Sequence, residues 1–472
     1  MNGNANFLAE EQASPLVNWS QNNPFKKTLN VLSNDMPAFM GLKKKPTVFP
    51  EHADIVVIGG GFIGTSVAYW LKSRAGEGLS VVVLEKDVNY NQLQQNVSLG
   101  TLNQHFSLPE NIDLSKYSAD FLRDIKKHLD NHVDIQYIPT GSLILASDKY
   151  ANKLEENVTL LNELGIKSNL LTTANIKSMF PWINTDDVKL GCMSMEAEGT
   201  FSSWELLNGL LRKSVELGTN YVNAEVVGFE VEKQKDVLME GVAPGTFERI
   251  NKVIYRTKDN EEYAVKFAVC VLAAGDNSGE LAKLAKVGTG NGILNIPLPI
   301  ERRDYQIYSI RNKATETGLS TPLVLDTAGF WLMRNGLENH LYCGNLPLMK
   351  DDTMDKTDTE YFENVIKPSL VNRVPSCSDA EVIQRITYTL IIYSGMNDCN
   401  TFDNTGVIGP HPYHSNFYFA AGFGKLGCQH APGIGRAIAE LIIDSQYTTV
   451  DLTRFGFDRF LLNEKLVEFN VY

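Results

Sequence analysis

The chain has 472 residues, with 43 Lys plus Arg against 56 Asp plus Glu and a formal net charge of −13. At 43% hydrophobic and 10% aromatic it holds enough apolar material for a large core, which excludes disorder throughout, and its length points to two domains or one large composite. The acidic balance argues against a nucleic-acid backbone or an anionic lipid surface as the main partner.

In chain order, residues 1–50 read as a polar N-terminal extension. They show no charged segment followed by an apolar core, as a secretory signal requires. The first arginine is Arg74, while Glu10 and Glu11 fall early, unlike a mitochondrial presequence. Ile55–Leu71 is uncharged, but it is shorter than the ~20 residues of a membrane span and is interrupted by glycines, so no transmembrane span is expected. The cysteines (Cys192, Cys270, Cys343, Cys377, Cys399 and Cys428) are scattered without a Cys-x-x-Cys pair, which fits a reducing compartment and offers no metal site.

Ile55–Ile58 is a short β-branched run, as expected of a strand buried on both faces of a parallel sheet. Gly59-Gly60-Gly61-Phe62-Ile63-Gly64 then fits G-x-G-x-x-G, and Ile63, Val67, Trp70 and Leu71 recur on one face of a helix. A second buried strand, Val81–Leu84, runs into Glu85, 21 residues beyond Gly64, with Lys86 beside it. The spacing assigns each glycine a task. Gly59 permits the tight turn, Gly61 lets the backbone approach a pyrophosphate, and Gly64 allows close helix–strand packing. The helix N-terminus supplies free N–H groups, and Glu85 can accept hydrogen bonds from a ribose diol. These features together predict a dinucleotide site.

Whether the dinucleotide is FAD or NAD is decided further along. Ala268–Leu272 reads as another buried strand entering Ala273-Ala274-Gly275. Gly406-Val407-Ile408-Gly409 leads to the strand Phe417–Ala421 and then to Gly422-Phe423-Gly424-Lys425-Leu426-Gly427. Ile434, Ile438, Leu441 and Ile442 follow at helical spacing. A second glycine loop opening a helix so late in the chain suits the longer FAD, its helix end stabilising negative charge on the reduced ring. A nicotinamide enzyme usually completes its site within one compact unit, so NAD is disfavoured.

Several strings resemble the D-amino-acid-oxidase/sarcosine-oxidase family of flavoproteins. They are His105-Phe106-Ser107-Leu108-Pro109-Glu110-Asn111-Ile112, Phe180-Pro181-Trp182-Ile183-Asn184-Thr185, Asn400-Thr401-Phe402-Asp403, Gly409-Pro410-His411-Pro412 and Ala431-Pro432-Gly433-Ile434-Gly435-Arg436-Ala437. The resemblance is strongest to a mitochondrial branch implicated in assembly of respiratory complex I. It implies an α/β, two-domain chain, with a Rossmann-like FAD-binding domain and a second, mainly β-sheet substrate domain. The implied FAD-binding domain comprises 51–135, 191–292 and 396–472, the last with a C-terminal tail. The implied substrate domain comprises 136–190 and 293–395, with strands at Gly141–Ser147 and Arg303–Ile310. The resemblance further implies that Gly59, Gly61, Gly64, Glu85 and Lys86 hold the ADP part of FAD. Ser98 and Gly100 would approach the pyrophosphate and ring, and Val226, in a strand at Asn223–Val227, would contact the adenine. Gly275 would close over the pyrophosphate, and Gly424, Lys425, Leu426 and Gly427 would face the flavin. Non-covalent FAD is expected, because Met396 stands where the sarcosine-oxidase flavin-linking cysteine aligns.

The departures bear on activity. Related oxidases carry Gly-His-Gly where this chain has Lys425-Leu426-Gly427. Their Ala-Trp-Ser is replaced by Asp276-Asn277-Ser278, a glycine by Thr101 and a frequent arginine by Asn103. Lys425 either sets a cation beside the reduced flavin or points to solvent, and the cost of burying a lysine favours solvent. Amine oxidation asks little of side chains beyond orienting the substrate over the flavin and pairing its carboxylate with a cation. Arg303, Tyr305, His105 and Asp398 are the candidate catalytic or substrate contacts, each with an ordinary structural alternative; His411 and His414, among prolines, read as turn residues. Two functions remain open. One is a FAD-dependent oxidoreductase acting on the C–N bond of a small amine or amino acid. The other is a catalytically degenerate flavoprotein or scaffold that binds assembling complex I subunits. A mitochondrial location follows from the resemblance alone.

Overall fold

β-Branched side chains with no polar face fit a strand covered on both sides, and the run after position 50 is one. Strand β1 (His52–Ile58) passes through the glycine turn into helix α1 (Phe62–Ala75) and returns as β2 (Val81–Glu85). The computed structural model describes residues 49–88, 90, 99–234, 248–303, 306–312, 317–326, 329–335, 340–345, 358–387 and 398–468. Next come β3 (Leu99–Leu102), helix α2 (Pro109–Arg123) and β4 (Gly199–Ser202), with β3 and β4 antiparallel partners. Helix α3 (Ser203–Glu216) starts on Ser202, whose hydroxyl accepts the Glu205 N–H. Three long strands follow: β5 (Asn220–Lys233), β6 (Glu248–Thr257) and β7 (Glu262–Leu272). The short strands β8 (Ile300–Arg302) and β9 (Asp398–Asn400) pair with each other. Strands β10 (Val407–Pro410) and β11 (Phe417–Ala421) then lead into helix α4 (Leu426–Asp444).

Strands β5, β2, β1, β7 and β11 lie side by side with parallel neighbours, and β10 closes one edge antiparallel. Strand β6 bridges β5 and β7 antiparallel. The strand expected at Ala268–Leu272 is therefore the buried end of a longer one. The first half of β7 alternates buried and exposed positions in a hairpin with β6, so a search for a wholly apolar run finds only the half beside β1.

The second sheet has eight strands, in the spatial order 381–387, 306–311, 340–345, 330–335, 323–326, 142–146, 190–194, 169–172. All neighbours are antiparallel except 323–326 with 142–146. Both faces are covered, since Leu143 and Leu145 pack in one cluster while Ile144 and Ala146 pack in another. The strand expected at Arg303–Ile310 starts later, at Gln306, and runs to Arg311. Ile300–Arg302 pairs with β9, and Gln306–Arg311 belongs to this second sheet. The architecture is α/β with two domains, a Rossmann-like one and a mainly β-sheet one. Among the described residues no helix is long and apolar enough to cross a membrane.

Helices α1 and α4 cross closely because Gly435 lies against Ser66, where an added Cβ would meet the serine Oγ at 2.3 Å. Trp70 Nε1 donates to the Pro432 carbonyl at 2.9 Å. These contacts bring the start of α4 to the glycine turn of β1 although more than 360 residues separate them in sequence.

Candidate functional site

The carboxyl ends of the parallel strands frame a cavity of about 280 Å³, where open α/β sheets place their ligands. Its walls are Ile58, Gly59, Gly61, Phe62 and Ile63 at the junction of β1 and α1, Leu84, Glu85 and Lys86 at the end of β2, and Ala224 to Val226 on β5. Residues 273–277 after β7, with Asp398, Ala420 and Gly427, complete it. Val226 sits at a bulge, where it pairs with Tyr255 and Gly228 with Ile254, leaving Val227 as the extra residue.

The three fingerprint glycines differ in surroundings. Gly59 holds φ +97°, and a Cβ there would strike the Ala273 carbonyl oxygen at 2.3 Å. A Cβ on Gly64 would lie 1.9 Å from the Gly59 oxygen, so this glycine lets helix and strand touch. Around Gly61 nothing lies within 4 Å of such a Cβ, although the residue lines the cavity. That open space suits close approach of a pyrophosphate. Helix α1 has no acid in its first turn and no side-chain cap, so its first N–H groups and the positive end of its dipole are left to a ligand. Glu85 is buried and braces the turn, accepting the N–H of Gly60 at 2.7 Å and of Asp87 at 2.9 Å. Tyr90 and Thr65 both donate hydroxyls to the Gly60 carbonyl, at 2.6 and 2.7 Å. The Tyr90 contact carries no periodic or motif signal in the sequence.

At the other end of the cavity, Asp398 is almost fully buried. Its carboxylate accepts the N–H of Gly422 at 2.5 Å and of Gly424 at 2.9 Å. Burial pushes its pKa up to about 8 against those two donors, with the charge of Asp276 adding to the rise. Asp276 is itself raised by burial, while Arg302, 3.9 Å away, opposes that rise. Among the expected cofactor residues, Gly59, Gly61, Glu85, Lys86, Val226, Gly275 and Gly427 share the cavity wall. Gly100 lies outside it, packed against the Phe201 carbonyl across the β3–β4 pair. Gly424 holds φ +52° in the loop above α4. Leu426 packs instead on the cluster of Phe106, Ile112, Leu161 and Ile166. Lys425 is half-buried rather than solvated, which corrects the solvent-facing reading; burial pulls its ammonium down to about 7. Ser98, Tyr305 and Met396 lie outside the described residues.

The remaining candidates are dispersed. Arg303 is half-buried just after β8 and away from the cavity wall; its neighbour Arg302 is the one that approaches Asp276. His105 is wholly buried off the cavity, with Nε2 3.3 Å from Cys192 Sγ and Nδ1 3.5 Å from Glu198 Oε1. Burial lowers His105 to about 4 and raises Glu198 to about 8, so both are neutral near pH 7. His411 is a turn residue, its Nδ1 accepting the N–H of Tyr413 and of His414 at 3.1 Å each. No substrate-binding pair is assembled among the described residues by Arg303, His105 and Asp398. Sequence reading passed over Glu225, Glu280 and Leu281 in the cavity wall, because solvent-facing acids and apolar helix positions look alike in a local pattern.

The sequence profile of the FAD dependent oxidoreductase family matches residues 54–441. The chain belongs to that family. It is 37% identical to the FAD-dependent oxidoreductase domain-containing protein 1 homolog of Drosophila melanogaster, over 95% of this chain and 92% of that protein. It is 40% identical to FAD-dependent oxidoreductase domain-containing protein 1 of Mus musculus, over 89% of this chain and 88% of that one. Its fold is similar to the crystal structure of L-proline dehydrogenase from P. horikoshii, with a TM-score of 0.70 and 21% identity, covering 89% of this chain and 100% of that one. The cofactor of this family is FAD, which decides between flavin and nicotinamide. The chain is an oxidoreductase of the amino-acid oxidase type.

Proposed function

We propose that this protein oxidises the C–N bond of a small amine or amino acid, with FAD held non-covalently in the cavity at the strand ends. The observation that carries this reading is the convergence of Gly59, Gly61, Glu85, Val226, Gly275 and Gly427 on one cavity wall. When bound, FAD supplies a two-electron acceptor for the substrate hydride. The chain's own residues bind and orient. Gly61 and the uncapped start of α1 receive the pyrophosphate, and Glu85 takes the ribose hydroxyls while keeping the glycine turn in shape. The backbone at the Val226 bulge meets the adenine, and the start of α4 meets the ring. Lys425, between Gly424 and Gly427 in the same loop, would be the cation nearest the ring end, its ammonium pulled down by burial.

The resemblance to a mitochondrial branch extends the proposal to a mitochondrial location and to association with assembling complex I subunits. The altered loop at Lys425-Leu426 favours a second reading, in which FAD is bound but turnover is weak or lost. The deciding experiment is the visible spectrum of the purified protein, repeated after denaturation and filtration, followed by an amine panel with oxygen consumption as readout. Yellow flavin in the filtrate together with turnover supports the first reading, and flavin without turnover supports the second. A colourless protein that takes up no added FAD overturns both.

A further inference from the structure

Asp398 was a candidate substrate contact, and its geometry assigns it different work. It opens β9, opposite Arg302 of β8, and the next residue, Cys399, bridges to Phe423. Strand β9 thus lies along the glycine loop that precedes α4. Two of three successive loop residues hold positive φ, +80° at Gly422 and +52° at Gly424, so their N–H groups turn away from ordinary strand or helix partners. Both N–H groups end on the two oxygens of this one carboxylate, at 2.5 and 2.9 Å. With both oxygens engaged, Asp398 is poorly placed to act as a free base. It still lines the cavity together with Gly427, in the first turn of α4.

We propose that Asp398 is the positioning residue for the flavin end of the site: it fixes the Gly422–Gly424 loop and so sets how the start of α4 meets the isoalloxazine ring. This rests on FAD occupying the cavity as proposed above. The two N–H donors, one on each oxygen, favour the carboxylate and oppose the burial that raises Asp398 to about 8, because the ionised form accepts on both oxygens. An amide of the same shape accepts on one oxygen and turns an NH2 toward the second N–H. The effect is confined to one end of the ligand. Glu85, Gly61 and Val226, which receive the ADP half, lie by β1, β2 and β5 and not on this loop.

The test compares FAD and ADP as ligands of the wild type and of Asp398→Asn, with affinity read by flavin fluorescence quenching and by calorimetry. The expected result is FAD binding weakened by about tenfold or more, with ADP binding unchanged. Equal FAD affinity in the two proteins overturns the proposal, as does an equal loss for both ligands, which marks a general structural role. If the variant does not fold, hydrogen exchange of the peptide spanning Gly422–Gly424 in wild-type protein stripped of FAD decides instead. Slow exchange is expected, and exchange at the rate of an open loop overturns the assignment. Wild-type protein that binds no FAD at all brings down the cofactor reading itself, a result distinct from the failure of Asp398 alone.

Discussion

Gly61 and Gly64 are the same residue type three positions apart, and their surroundings make opposite predictions for the same substitution. Gly64→Ala places a methyl group 1.9 Å from the Gly59 oxygen, so helix and strand must separate. A loss of about 1–3 kcal/mol is expected in urea denaturation of the FAD-free protein. Gly61→Ala meets open space, and its φ of −68° suits any residue, so the FAD-free protein keeps its stability while FAD affinity falls about tenfold or more. Unchanged FAD affinity in Gly61→Ala would remove the pyrophosphate from that position. The fingerprint was legible in the sequence because turn, helix and acid fall within one local unit. His105 was misplaced because burial beside Cys192 and Glu198 depends on strands elsewhere in the chain. Glu198 carries a consequence of its own. With Gln104, His105, Cys192, Tyr137, Ser142 and Ser194 around it, burial holds its folded pKa near 8, above the ordinary 4.5. The folded state therefore holds the proton more tightly than the unfolded chain, and this contribution is full below about pH 4.5 and lost as pH rises through about 8. Glu198→Gln should gain thermal stability relative to wild type as pH is raised from 5 to 9; parallel melting curves across that range would show that Glu198 is ionised throughout.

At the scale of elements, the strings that pointed to a family prove to be places where distant segments lock together. Helix α2 begins within the His105–Ile112 string, and the turn that leads into it is held from the far end of the chain. Glu468 accepts the N–H of Ser107 at 2.7 Å and of Leu108 at 3.1 Å, and also bonds the Ser107 hydroxyl and Asn111 Nδ2. A carboxylate beside a helix N-terminus meets the positive end of its dipole. Asp403, from the Asn400–Asp403 string, holds the buried Arg459 at 2.8 Å. Neither contact has a local signature, since local patterns are read from neighbours and these partners lie more than 50 residues away. The same reason hides the partners of 306–311: alternation shows extended chain but not which strands flank it. Glu468→Ala should cost about 1–3 kcal/mol in chemical denaturation and speed amide exchange in the first turn of α2. Loss of stability without faster exchange there would place the carboxylate's contribution elsewhere.

At the scale of the whole molecule, the cavity wall draws, among the described residues, on β1, β2, β5, β9, β11 and the start of α4, and on no strand of the eight-stranded sheet. FAD binding and the stability of that second sheet should then be separable. Arg373 tests this. It is buried at 1% exposure and bonds Asp187 at 2.9 Å, Asp326 at 2.5 Å and the Asn184 carbonyl at 2.6 Å, tying the loop of the Phe180–Thr185 string to the sheet. Arg373→Met removes the cation between two carboxylates, a change that costs about 3–5 kcal/mol at buried pairs. Added FAD at a hundred times its dissociation constant should restore about 2.7 kcal/mol, because a ligand stabilises whatever folded state binds it. The variant is therefore expected to melt lower than wild type, to bind FAD with the same affinity, and to gain the same increment from FAD. Hydrogen exchange locates the damage. Residues 142–146, 323–326 and 330–335 should lose protection, while 52–58 and 417–421 keep it in the presence of FAD. If FAD affinity falls together with stability, the second sheet shapes the flavin site directly, and the two halves of the molecule function as one cooperative unit.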